Sequence, residues 1–161
     1  MQRTLLWSLV LYMLVCASCV GVTFAESVDI TVPTSVVFNV IDISTATTGS
    51  PNPTTVSFVN ANLVSGSALR ISVKANAADF ISPGGTAIAA SNVSWTTGNA
   101  QGGTSFNGSL SSVGFTEVYQ SNANPTSGTV DIVWSLAAQG SGIRGGDHTL
   151  AITWKLESVV P

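Results

Sequence analysis

Period-two alternation of apolar and polar residues constrains this chain more than any other feature of its sequence. Leu69, Ile71, Val73 and Ala75 alternate with Arg70, Ser72, Lys74 and Asn76. Val130, Ile132, Trp134 and Leu136 repeat the pattern against Asp131, Val133, Ser135 and Ala137. A third run sets Leu150, Ile152, Trp154 and Leu156 against Thr149, Ala151, Thr153, Lys155 and Glu157. Successive side chains of a strand point to opposite faces, so each run reads as a strand with one face buried. No window carries the period of a long amphipathic helix.

Less regular β-rich runs cover Val28 to Val32, Ser35 to Ile43, Thr55 to Val64, Ala87 to Thr97 and Ser109 to Gln120. Turn formers separate the runs: Gly49-Ser50-Pro51-Asn52-Pro53, Ser65-Gly66, Pro83-Gly84-Gly85, Asn124-Pro125 and the stretch from Gly140 to Asp147. About eight short strands punctuated by turns predict an all-β fold, an antiparallel β-sandwich of Greek-key or jelly-roll type. The segment Gly98 to Gly108 (GNAQGGTSFNG) reads as the longest flexible connector.

The first twenty-five residues differ from the rest. Met1-Gln2-Arg3 is a short cationic start, and Leu5 to Val15 (LLWSLVLYMLV) is apolar except for Ser8 and Tyr12. That run is long enough for the apolar core of a signal peptide and too short to span a bilayer. Thr23-Phe24-Ala25 offers a cleavage site before Glu26, so residues 1–25 are expected to be a signal peptide and 26–161 a single sandwich domain. An uncleaved membrane anchor is one alternative, and lipidation at Cys19 is a second, since Cys16-Ala17-Ser18-Cys19 loosely resembles a lipobox. Both cysteines of the chain lie in this leader. The expected mature chain therefore has no disulfide and no thiolate chemistry, and relies on its core for stability.

Without Arg3 the basic residues are Arg70, Lys74, Arg144 and Lys155, against eight acids. They are scattered, so the electrostatic footprint of a nucleic-acid partner or an anionic membrane is missing. No transmembrane segment is expected in the mature chain. Chemistry is equally sparse. His148 is the single histidine; it follows Asp147 behind Gly145-Gly146, a turn setting in which aspartate commonly bonds its own backbone. There is no G-x-S-x-G elbow, no zinc spacing and no EF-hand loop. No carboxylate pair stands out for glycoside hydrolysis. The expectation is a non-enzyme without cofactor or metal.

Two Trp-x-Leu tripeptides remain, Trp134-Ser135-Leu136 and Trp154-Lys155-Leu156. Spaced by two, each Trp shares a strand face with its Leu. With the surrounding Thr149 to Pro161 (TLAITWKLESVVP), they resemble the bacterial WxL surface domain, which carries two such motifs, the distal one in a terminal strand. Ile30-Thr31-Val32-Pro33 leading to Phe38 is loosely similar to the early strand of that family. The resemblance implies an exported β-rich module held non-covalently on a cell wall through peptidoglycan, with Trp134, Leu136, Trp154 and Leu156 as wall- or partner-binding candidates. The competing reading is that these four residues plug the sandwich core, where Trp has much area to bury.

The sequence thus points to a secreted, non-catalytic cell-surface or structural protein: a wall-associated module, or a subunit of an extracellular assembly joined through sheet edges. A carbohydrate-binding module is the alternative, stacking peptidoglycan or another surface polysaccharide on Trp95, Phe106 and Tyr119, with Phe115 nearby. Exposure of Trp95 would favour the sugar reading, and burial of Trp95, Trp134 and Trp154 the structural one.

Overall fold

A computed structural model describes residues 25–161. The expected leader, with Cys16 and Cys19, lies outside the described residues apart from Ala25. Among the described residues ten strands follow in order: β1 (Ser27–Thr31), β2 (Thr47–Thr48), β3 (Thr54–Asn62), β4 (Ala68–Ala75), β5 (Val93–Gln101), β6 (Gly103–Ser105), β7 (Gly108–Ser109), β8 (Thr116–Ser121), β9 (Gly128–Leu136) and β10 (Ile152–Val159). A 3-10 turn at Ala90–Asn92 leads into β5.

The strands form two packed antiparallel sheets, an all-β sandwich as expected. One sheet has the order β1-β3-β9-β5-β7, with β2 also paired to β9. The other has the order β10-β4-β8-β6. From β3 onward every successive strand lies in the opposite sheet, so each pairing within a sheet joins strands distant in sequence. The three regular runs of the sequence became β4, β9 and β10. Val130, Ile132, Trp134 and Leu136 all point from β9 into the core, as do Leu69, Ile71, Val73 and Ala75 from β4. Most of the core comes from such alternating positions.

Three expectations need correction. The segment Gly98 to Gly108 is not a flexible connector, because it ends β5, supplies β6 and begins β7. Its glycines serve close packing. Gly102 (φ +73°) turns the chain from one sheet to the other. A Cβ on Gly103 would stand 2.6 Å from the Tyr119 hydroxyl, and one on Gly108 would stand 2.7 Å from the Trp95 ring. The run Ser35 to Ile43 contributes only a bridge, Val37 to Ser50, because Pro33 interrupts the line of β1 and Asp42 folds the chain back. Asp42 Oδ1 accepts from both the backbone N–H and the hydroxyl of Ser44. The run Ser109 to Gln120 is likewise split, with β8 beginning only at Thr116.

Candidate functional site

The two Trp-x-Leu pairs fall in opposite sheets and converge. β9 is central in its sheet, so Trp134 and Leu136 are fully buried. Trp95 on β5 stands directly opposite Trp134. Their ring centroids are 5.4 Å apart at 57°. Across the core, Trp154 of β10 meets the Trp134 ring edge-on, at 6.4 Å and 82°. Three indoles therefore run from one sheet to the other in tilted and T-shaped contacts, the geometry that aromatic quadrupoles prefer.

Burial obliges each indole N–H to find an acceptor. The Trp95 Nε1–H donates to the Phe106 carbonyl at 2.9 Å. The Trp134 Nε1–H donates to Thr54 Oγ1 at 2.9 Å, and that hydroxyl donates in turn to the Ile132 carbonyl. Trp154 Nε1 is buried and finds no partner among the described residues. The sequence carried no sign of Thr54 or of the Phe106 carbonyl, since each acts on a residue distant in the chain or through its backbone.

Identical spacing thus gives two different surroundings. Among the described residues β10 is an edge strand, with β4 on one side only. Ile152, Trp154 and Leu156 pack against the core but are only half-buried. They form an open seam between the sheets on the side where β1 is the edge of the other sheet. Glu26, Val28, Leu63, Leu69, Leu156 and Ser158 line a shallow groove at one end of it.

Glu26 ties the two sheets at that groove. Its Oε1 accepts from the Val64 N–H, just beyond β3, and from the Ser158 hydroxyl of β10, both at 2.8 Å. The Val64 bond first, then the Ser158 bond, holds the Glu26 carboxyl below the ordinary 4.5 of a glutamate. A carboxyl depressed in the folded state contributes stability that is present above the unfolded value and lost as pH falls through the folded one. Asp131 is lowered in the same way, by Asn99 and then Thr55. Stability is therefore expected to fall as pH drops below the ordinary carboxylate range. Thermal melts of Glu26→Gln should show a shallower acid limb than the parent. An identical limb would mean that Glu26 is not the clamp.

The sugar-stacking candidates do not survive as a set. Trp95 is 2% exposed and Tyr119 is 1% exposed, so neither can offer a ring face to a glycan without opening the core. Trp95 follows the inward period set by Val93, a signal already present in the sequence. Tyr119 is less obvious. A register shift between β4 and β8 pairs Ile71 with Tyr119 and Ser72 with Glu117, and the intervening Val118 is buried too. A bulge of this kind lets two consecutive residues face the core. The Tyr119 hydroxyl donates to the Gln101 carbonyl at 2.7 Å. Only Phe106, 38% exposed, and Phe115 reach solvent. Phe106 borders a shallow groove with Thr104, Gln120 and Asn122. Phe115 lies under Lys74 and Lys155, each ammonium 5.3 Å from the ring centroid.

The His148 ring makes no hydrogen bond to a nucleophile or to Asp147 among the described residues. Its Nε2–H donates to the Arg144 carbonyl at 2.9 Å, closing the turn before β10. No group of three or more His, Cys, Asp or Glu side chains able to hold a metal occurs among the described residues. No described helix is long and apolar enough to cross a membrane. In comparisons with known proteins, the chain matches no protein-family model, no curated protein sequence and no solved structure.

Proposed function

We propose that this is an exported, non-catalytic surface protein, acting as a wall-associated module or as a subunit of an extracellular assembly. The observation that carries the reading is the half-covered Trp154–Leu156 pair on an edge strand. Its counterpart, Trp134–Leu136, is sealed in the core, and half-buried apolar side chains beside unpaired backbone are what a strand-adding or wall-binding surface needs. The leader supports export. The Trp-x-Leu resemblance supports a cell wall, with peptidoglycan as the ligand.

Sedimentation with purified peptidoglycan tests this. Trp154→Ala is expected to cost about 2 kcal/mol, less than for a fully buried indole because the seam already wets part of the ring. It should remain folded at low temperature yet no longer sediment with the wall. Lys155→Ala, on the opposite face, should stay within about 0.5 kcal/mol of the parent and still sediment. Retained wall binding by folded Trp154→Ala would refute the seam as the contact.

A carbohydrate-binding module is the second reading, narrowed to Phe106 because its exposed ring stands beside amide and hydroxyl groups suited to sugar hydroxyls. Phe106→Ala would then abolish glycan binding with little change in the melting temperature.

A further inference from the structure

We infer that β10 pairs antiparallel with β10 of a second copy, in one register selected by charge. The inference rests on the surface-assembly reading and names its partner.

The Asn76 N–H donates to the Ala151 carbonyl, which makes Ala151 and Asn76 a hydrogen-bonded pair of the β10–β4 ladder. Hydrogen-bonding direction alternates along an antiparallel strand, so Thr153, Lys155, Glu157 and Val159 also turn their backbone groups toward β4. Ile152, Trp154, Leu156 and Ser158 then turn theirs to the open edge. Among the described residues no hydrogen bond from another strand, loop or side chain reaches the backbone of these four. The free edge and the half-buried apolar face thus belong to the same residues.

A closed dimer formed through one edge is two-fold symmetric, which requires antiparallel pairing. Centred on Leu156, the pairing sets Lys155 opposite the partner's Glu157, and Glu157 opposite the partner's Lys155. These are non-hydrogen-bonded positions, where facing Cα atoms come to about 4.5 Å and side chains approach most closely. Lys155 and Glu157 already hold each other at 2.7 Å on the exposed face, so the dimer would join two ion pairs into one group of four alternating charges. Shifting the centre to Lys155 sets lysine against lysine. Shifting it to Glu157 sets glutamate against glutamate. On the seam side, the Leu156 register places Leu156 against its own copy and Ile152 against the partner's Val160. Val160 is 85% exposed and lies just beyond the strand, so the same register covers an otherwise bare valine.

An edge contact of this length falls among small, transient interfaces, so a concentration-dependent equilibrium is expected. Sedimentation velocity on the protein purified after export, up to ~1 mM, should show a dimer that loosens with salt. Lys155→Glu and Glu157→Lys each turn both facing pairs repulsive and should each weaken dimerisation by roughly tenfold or more. Mixing the two variants should restore a dimer, because unlike charges then face one another. The double exchange Lys155→Glu with Glu157→Lys should dimerise by itself and shows that these positions tolerate the changes. A parent protein monomeric throughout the range overturns the inference, and so does a dimer that neither single change weakens. A monomer that still sediments with cell walls would overturn the pairing alone and leave the surface-protein reading standing.

Discussion

Trp134→Ala is expected to lower the urea midpoint of the protein sharply. Trp134 is buried on a central strand and, among the three described indoles, is the one in contact with both of the others. Its removal opens a cavity between the sheets and costs about 3–5 kcal/mol, the usual range for a buried large aromatic. It also removes the N–H that the buried Thr54 hydroxyl accepts, leaving that hydroxyl only its bond to the Ile132 carbonyl. A single domain has about 5–15 kcal/mol in total, so the loss is a large share of it. Urea denaturation followed by far-UV circular dichroism checks this. A midpoint close to that of the parent would mean that the sheets close over the gap and that the indole chain is not what joins them.

Gly103→Ala is expected to be the most damaging small change. A Cβ there would stand 2.6 Å from the Tyr119 hydroxyl and 2.7 Å from the Ser121 Cα, and would collide with the Gln120 carbonyl. Backbone atoms cannot step aside as a side-chain tip can, so β6 must separate from β8. Overpacking of this kind costs about 1–3 kcal/mol, occasionally more. It would also disturb the nearby bond from the Tyr119 hydroxyl to the Gln101 carbonyl. Gly98→Ala is the control, because nothing lies within 4 Å of a Cβ at that position. Its melting temperature should match the parent or rise slightly, since alanine narrows the unfolded ensemble. Equal losses at the two positions would show that backbone freedom, not space, explains the glycines of this segment.

Much of the fold was legible because alternation is a local signal. Leu69 to Ala75, Val130 to Leu136 and Ile152 to Leu156 each announce a strand and the face it buries. What alternation cannot convey is which strands are neighbours. In this sandwich consecutive strands from β3 onward lie in opposite sheets, so every ladder there joins distant segments. The difference between Trp134 and Trp154 follows from that gap. Both motifs read alike, yet one strand is flanked on both sides and the other on one. Tyr119 was obscured by a bulge and Glu26 by the lack of any pattern around it. In the Gly98 to Gly108 segment, residues chosen for tight packing look the same in sequence as residues chosen for flexibility.

The proposed surface role requires that this protein leave the cell. Fractionation of the native host, with the protein followed by intact-mass analysis, tests it most directly. The expected result is a chain beginning at Glu26, recovered with the cell wall or in a sedimentable extracellular assembly. A chain that retains residues 1–25 and is recovered from the cytoplasm would contradict it.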